Sequence, residues 1–248
     1  SKDIECAPPH DHPNEEWQPL LVKGDKATAA LINELIMKSQ SLLAEHPFNK
    51  KRAEEGKLQA NSIWPWSGGY RPSMETLLAQ FPQIKKGSVI TAVDLIKGIG
   101  HYAGLDIINV EGATGLADTN YEGKAQAAID ALKNGDDFVF VHVEATDEAG
   151  HDGDVALKLK ATEYFNDRIV KPIYDYIMSV DDNIHIAILP DHPTPCETRT
   201  HVNEPVPFII WHKEIQPDSV QEYNEESCVS GEYGLLRLRQ FIETFIHQ

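Results

Sequence analysis

Residues 138–154 read FVFVHVEATDEAGHDGD, an apolar run followed at once by two metal-ligating residue types, Asp147 and His151, four positions apart. A short run rich in β-branched and aromatic residues reads as a buried strand. Two further runs in the second half repeat the association. IHIAILP at 184–190 leads into Asp191 and His192, and His201 stands ahead of VPFIIW at 206–211. In an open parallel sheet the strand ends and their loops face one crevice, so ligands distant in sequence can converge there. A DxxxH pair alone also fits an exposed loop pair or a helix cap. The addition of an Asp-His pair at the end of one apolar run, and of a third His ahead of another, points to metal.

The donor chemistry narrows the ion. Carboxylate oxygen with imidazole nitrogen suits a borderline or moderately hard divalent cation such as manganese or zinc better than an all-oxygen calcium site. Side chains of adjacent residues on an extended backbone alternate in direction, so Asp191 and His192 suit one ion reached from two sides or two neighbouring ions. Paired divalent ions commonly serve phosphoryl chemistry. His101, His142, His185, His212 and His247 are read as ordinary packed or surface histidines.

Working outward, strands and helices alternate. Residues 27–45 repeat apolar positions at helical spacing and are followed by Pro47. ANSIWPW at 60–66 is a strand candidate. SVITAV at 88–93 reads as strand, DLIKGIGHYAG as a short helix with a glycine exit, DIINV at 106–110 as strand and residues 122–134 as helix. Residues 154–179 carry an amphipathic pattern with Pro172 inside it, which predicts a helix bent or broken near that proline. The closing segment GEYGLLRLRQFIETFIHQ also reads as helix. This alternation predicts an α/β fold, a mostly parallel sheet with helices on both faces. A boundary is placed near residue 60, giving a first domain over 1–60 and a second over 61–248.

With 248 residues and 41% apolar content, the chain can bury a substantial core. The net charge of -17 disfavours nucleic acid and anionic membranes as partners, since a polyanion is repelled over most of the surface. A small anionic substrate remains compatible, because metal ions and arginines in a pocket outweigh the global field locally. The sparse cysteines, Cys6, Cys196 and Cys228, favour a reducing cytoplasm, with Cys196 read as a small packed loop residue. No apolar stretch approaches the roughly 18 residues of a membrane span. Arg199, two residues before His201, is the core's candidate for holding phosphate, since its planar fork binds two phosphate oxygens at once. The turns SGGY and GIGHYAG are too short and misplaced for phosphate loops, and no nucleotide-binding loop is present.

The segments SIWPWSGGYRPS, the run from Ser88 to Ala125, FVFVHVEATDEAGHDGD and PDHPTPCETRTHVNEPVPF, in that order, resemble the cofactor-independent phosphoglycerate mutases of the archaeal type. The resemblance spans nearly the whole chain. It implies an alkaline-phosphatase-like core, with residues 1–60 as the end of the domain that this family inserts into it. It implies Asp147, His151 and His201 as ligands of one ion and Asp191 and His192 as ligands of a second. Manganese is the first choice, with zinc, cobalt or magnesium as alternatives, and no 2,3-bisphosphoglycerate is required. Arg71 in GGYRPS and His10 with Asp11 in PPHD fall in family-like motifs that reach the glycerate. Lys97 in DLIKGIG is family-like as well, though a solvated helix face explains it.

The same resemblance implies interconversion of 3- and 2-phosphoglycerate through a phosphoserine intermediate. The family's nucleophilic Ser, and an Asp completing the second ion, belong to a segment with no counterpart in these residues. The chain is therefore read as the carboxy-terminal part of a longer protein and as inactive by itself. A metal-dependent phosphohydrolase of the same superfamily and a non-catalytic fragment with an empty site stand as alternatives, and homoserine phosphorylation ranks last for want of a nucleotide loop.

Overall fold

A computed structural model describes residues 1–9, 12, 14–237 and 239–247. His10 and Asp11 thus lie outside the described residues. The chain divides into two compact units, Ser1–Ser73 and Met74–Gln248.

In the first unit, β1 (Ile4–Glu5) pairs antiparallel with β2 (Lys23–Gly24), ahead of α1 (Lys26–Glu45) and α2 (Pro47–Glu54). The side chain of Asp25 starts α1 by accepting from the Thr28 amide at 2.9 Å. The helix stops where His46 goes extended ahead of Pro47, which then opens α2 at a position needing no amide proton. Val22, Ala29 and Ile36 form a small core with Ile4, Leu21, Ile32 and Trp64 packed against it. The predicted strand at 60–66 does not form. Buried Asn49 takes the place of a strand partner, accepting from the Ala60 amide at 3.1 Å and donating to its carbonyl at 2.7 Å. Pro65 further removes a ladder donor.

The second unit opens with the short α3 (Leu77–Gln80) and continues through β3 (Gly87–Ile90), α4 (Asp94–Tyr102), β4 (Asp106–Ile108), α5 (Tyr121–Lys133) and β5 (Phe138–Val141). These strands form a parallel sheet in the order β4-β3-β5. Successive β3 side chains face opposite ways, which places one helix on each face. Val89 meets α4, where Gly100 has no Cβ to hold the helix off. Ile90 joins Tyr121, Ala125, Ala128 and Ile129 of α5 in the main core. The α/β layering predicted from the sequence is therefore present, with every β3 residue buried.

Next come α6 (Ala145–Asp152), α7 (Val155–Phe165) and α8 (Lys171–Ser179), with a single π-helical turn, Asn166–Val170, between the last two. Pro172 lacks an amide proton and its ring crowds the carbonyl four residues earlier, so the wide turn just before it is the predicted break. Arg168 in that turn forms a two-pronged pair with Glu122, at 2.5 and 2.7 Å, and lies over the rings of Tyr121 and Tyr164. The apolar runs at 184–190 and 206–211 yield only β6 (Ile186–Ile188) and β7 (Ile209–Trp211). They pair with each other antiparallel, and among the described residues neither joins the three-stranded sheet, which corrects the picture of three runs in one parallel sheet. Pro205 and Pro207 shorten the second run by withholding ladder donors. Within the closing segment α9 spans Arg239–Ile246, while Gly234 takes a left-handed φ of 59°; Leu238 and Gln248 lie outside the described residues.

Candidate metal centre

Only residues 142–144 separate β5 from α6. They wind directly into α6, which puts Asp147 in its first turn and His151 one turn later on the same face, with the His151 Nε2 atom 3.4 Å from Asp147 Oδ2. Gly153, at a φ of 70°, ends the helix in a left-handed cap. The Arg199 side chain lies across that glycine, and a Cβ there would stand 2.5 Å from Nε.

The loop that leaves β6 brings the remaining side chains to this helix. His201 Nε2 lies 3.1 Å from His151 Nε2 and 3.4 Å from Asp147 Oδ1. The His192 ring lies against that of His201, with centroids 3.7 Å apart, and its Nδ1 is 4.0 Å from Asp147 Oδ1. Asp147, His192 and His201 each offer a ligand atom within 4.8 Å of the others. Asp191 turns back on its neighbour, accepting from the His192 amide at 3.1 Å with its Oδ2 3.5 Å from His192 Nε2, and is the most exposed of the set.

These separations fit a cation. Bonds of roughly 2.0–2.1 Å in a tetrahedral site place donors about 3.3 Å apart. The His151 and His201 Nε2 atoms are 3.1 Å apart, and each lies 3.4 Å from a different oxygen of the Asp147 carboxylate, Oδ2 for His151 and Oδ1 for His201. Two imidazole nitrogens facing each other at 3.1 Å repel if both present lone pairs, and a cation between them turns that repulsion into attraction. The orientation of His151 suits ligation too. Its Nδ1 lies 2.9 Å from the Arg199 carbonyl, which can only accept, so the proton sits on Nδ1 and the Nε2 lone pair faces His201. Arg199 presents that carbonyl from a left-handed φ of 55°, uncommon for a residue with a Cβ. Solvent reaches the group from the His201 side, that ring being 49% exposed against 20% for Asp147.

Behind the candidate ligands lies a polar group that sequence reasoning missed. Lys124 of α5 is 1% exposed and donates to the His142 carbonyl at 3.2 Å. His142 Nδ1 is 3.2 Å from Thr91 Oγ1, and its Nε2 is 3.2 Å from Glu144 Oε2. Burial pushes the His142 imidazole below its ordinary value and the Lys124 ammonium below its own. Burial, with the Asp147, Glu148 and Asp191 carboxylates beside it, pushes the Glu144 carboxyl up. Both His142 and Glu144 are thus biased toward their neutral forms. Glu144 and Glu148 also cluster with Asp147. The signal for Lys124 was its place on the buried face of α5, at helical spacing from Tyr121 and Ala128. Cys196 packs as a small loop residue, its thiol 3.8 Å from the Ala149 carbonyl. The exposed Arg71 belongs to the first unit. Among the described residues no helix is long and apolar enough to cross a membrane.

The family model of the metalloenzyme superfamily matches residues 36–241, and that of 2,3-bisphosphoglycerate-independent phosphoglycerate mutase matches residues 1–49. A protein of Methanosarcina mazei named 2,3-bisphosphoglycerate-independent phosphoglycerate mutase is 49% identical over 245 residues, covering 98% of this chain and 60% of the relative. A probable enzyme of the same name from Geobacter sulfurreducens is 47% identical over 225 residues, which is 90% of this chain and 55% of that protein. The PH0037 protein of Pyrococcus horikoshii superposes with a TM-score of 0.73 at 34% identity, over 90% of this chain and 57% of the other. The cofactor-independent phosphoglycerate mutase of Thermoplasma acidophilum shares the fold at a TM-score of 0.51 and 23% identity. The chain spans about three fifths of the length of the curated relatives it matches.

Proposed function

The chain belongs to the metalloenzyme superfamily, and on that premise we propose that it carries the metal-binding half of a phosphoglycerate mutase that interconverts 3- and 2-phosphoglycerate without 2,3-bisphosphoglycerate. The observation that carries this reading is the gathering of Asp147 and His151 of α6 with His201 of the loop after β6, donors 3.1–3.4 Å apart, and of His192 from the same loop with its Nδ1 4.0 Å from Asp147 Oδ1. Asp147, His151 and His201 hold one divalent ion, manganese in preference to zinc, cobalt or magnesium. Asp191 and His192 contribute to a second. Such ions, when bound, lower the pKa of a hydroxyl nucleophile and neutralise charge on a phosphoryl group.

The chain's own residues do the positioning. The Arg199 carbonyl keeps the proton on His151 Nδ1, and α6 sets Asp147 and His151 on one face. Arg199 is the phosphate-binding candidate of the second unit, with Arg71, His10 and Asp11 assigned to the glycerate. The nucleophilic Ser and the rest of the second ion's ligands are assigned to the part of the relatives' length that this chain does not span, with the phosphoryl group passing to that Ser and back to the other hydroxyl. Setting is glycolysis or gluconeogenesis in the cytoplasm.

The test has two parts. Elemental analysis of chelator-treated chain soaked in Mn2+ is expected to recover bound metal, and an empty chain would favour a non-catalytic module. In the longer protein, coupled assays are expected to detect 2-phosphoglycerate made from 3-phosphoglycerate, lost with chelator. Release of free phosphate alone would instead mark a phosphohydrolase. The 248-residue chain by itself is expected to show no mutase turnover.

A further inference from the structure

Thr194 stands where the ligand loop meets α6, and it is 3% exposed. Its hydroxyl donates to Asp147 Oδ1. The same oxygen lies 3.2 Å from His192 Nδ1. A hydroxyl has one proton and two lone pairs, while a carboxylate oxygen can only accept. The one proton is therefore committed to Asp147, and the contact with the imidazole is favourable only if His192 carries its proton on Nδ1 and donates it to Thr194. That choice leaves the remaining lone pair on Nε2.

Thr194 is itself firmly held. Its carbonyl accepts from Lys158 Nζ of α7 at 2.5 Å. The same carbonyl packs against Gly150 of α6 so closely that no Cβ fits between them. Helix and loop are thus clasped at this residue, and the clasp fixes the hydroxyl between two candidate ligands. His151 obtains its tautomer from a backbone carbonyl, which side-chain substitution leaves in place. His192 obtains its tautomer from a side-chain hydroxyl, which a substitution can remove.

We propose that Thr194 is a positioning residue of the metal centre, setting the direction of the Asp147 carboxylate and the tautomer of His192 with one hydroxyl. The proposal rests on the metal reading above and adds a residue to it. Partners that orient ligands in this way are worth roughly 10- to 100-fold in metal affinity.

Co2+ titration of the chain, read by its visible absorption and by competition with a chelator, tests this in wild type, Thr194→Ser and Thr194→Val, with thermal unfolding of each recorded alongside. Thr194→Val is expected to weaken Co2+ binding by about 10- to 100-fold. Thr194→Ser, which keeps the hydroxyl, is expected to stay within about threefold of wild type. Wild type that binds Co2+ beside a Thr194→Val variant binding equally well overturns the role of Thr194 and leaves the metal reading standing. Wild type that binds no Co2+ overturns the metal reading, and this proposal with it. Should Thr194→Val fail to fold, long-range 1H–15N spectra of the metal-free wild type decide the matter. An Nδ1–H tautomer at His192 supports the proposal, and an Nε2–H tautomer overturns it.

Discussion

Of the residues at the centre, Asp147 contacts His151, His192, His201 and Thr194, so its loss is felt by all of them. Asp147→Asn is expected to lower Mn2+ affinity by more than the roughly 100-fold that marks a merely supporting partner, measured by calorimetric titration against a chelator. His142 gives a separate prediction about acid. Its folded pKa lies below the unfolded one because burial disfavours the imidazolium. As pH falls through the unfolded value, near 6.5, the unfolded chain takes up a proton that the folded chain refuses, so stability drops. Glu144 works in the opposite sense, since its raised folded pKa makes the fold bind a proton earlier than the unfolded chain and so gain stability as pH falls toward 4.5. Urea unfolding of metal-free His142→Asn should therefore lose less stability between pH 7.5 and 6 than wild type. Equal losses in both would remove His142 as the cause. Reading the sequence singled out the ligand-type residues but treated His142 as ordinary and passed over Lys124 and Thr194. Those three owe their roles to burial and to partners many positions away.

Among the elements, α6 matters most. A helix rather than a loop carries Asp147 and His151, which makes their four-residue spacing a fixed distance instead of a mobile one. Gly150 lets the Thr194 carbonyl approach α6. Gly150→Ala gains about 0.5–1 kcal/mol in helix preference, yet it drives a methyl group into a backbone oxygen, and overpacking of that kind costs about 1–3 kcal/mol. The net expectation is a lower urea midpoint together with weaker metal binding, as the clasp is forced open. An unchanged midpoint would mean that the loop gives way freely. Helical periodicity predicted α1, α4 and α5 closely, because their apolar faces repeat at 3.6 residues. The strands came out shorter than their apolar runs, and the run at 60–66 formed none. An apolar run reports burial, whereas a strand also needs a partner with a free ladder edge.

Over the whole molecule, the five expected ligands, Asp147, His151, Asp191, His192 and His201, fall in the unit Met74–Gln248, which has its own buried core. Chain beginning at Met74 is expected to keep Mn2+ affinity within about threefold of the full 248 residues, measured by the same titration. A loss of an order of magnitude would place part of the binding determinants in the first 73 residues. The sequence by itself determined the donor chemistry and the α/β class. Carboxylate and imidazole are ligands by composition, and alternating apolar periods are a local property of the chain. Only the tertiary structure decided that β6 and β7 stand apart as an antiparallel pair, that His192 lies against His201, and that one buried threonine bridges Asp147 and His192. Such facts depend on contacts outside any one helical or strand period, from His192 against His201 to Asp147 with Thr194, the latter 47 positions apart. Their distances are set by how helices and loops pack, which no local pattern encodes.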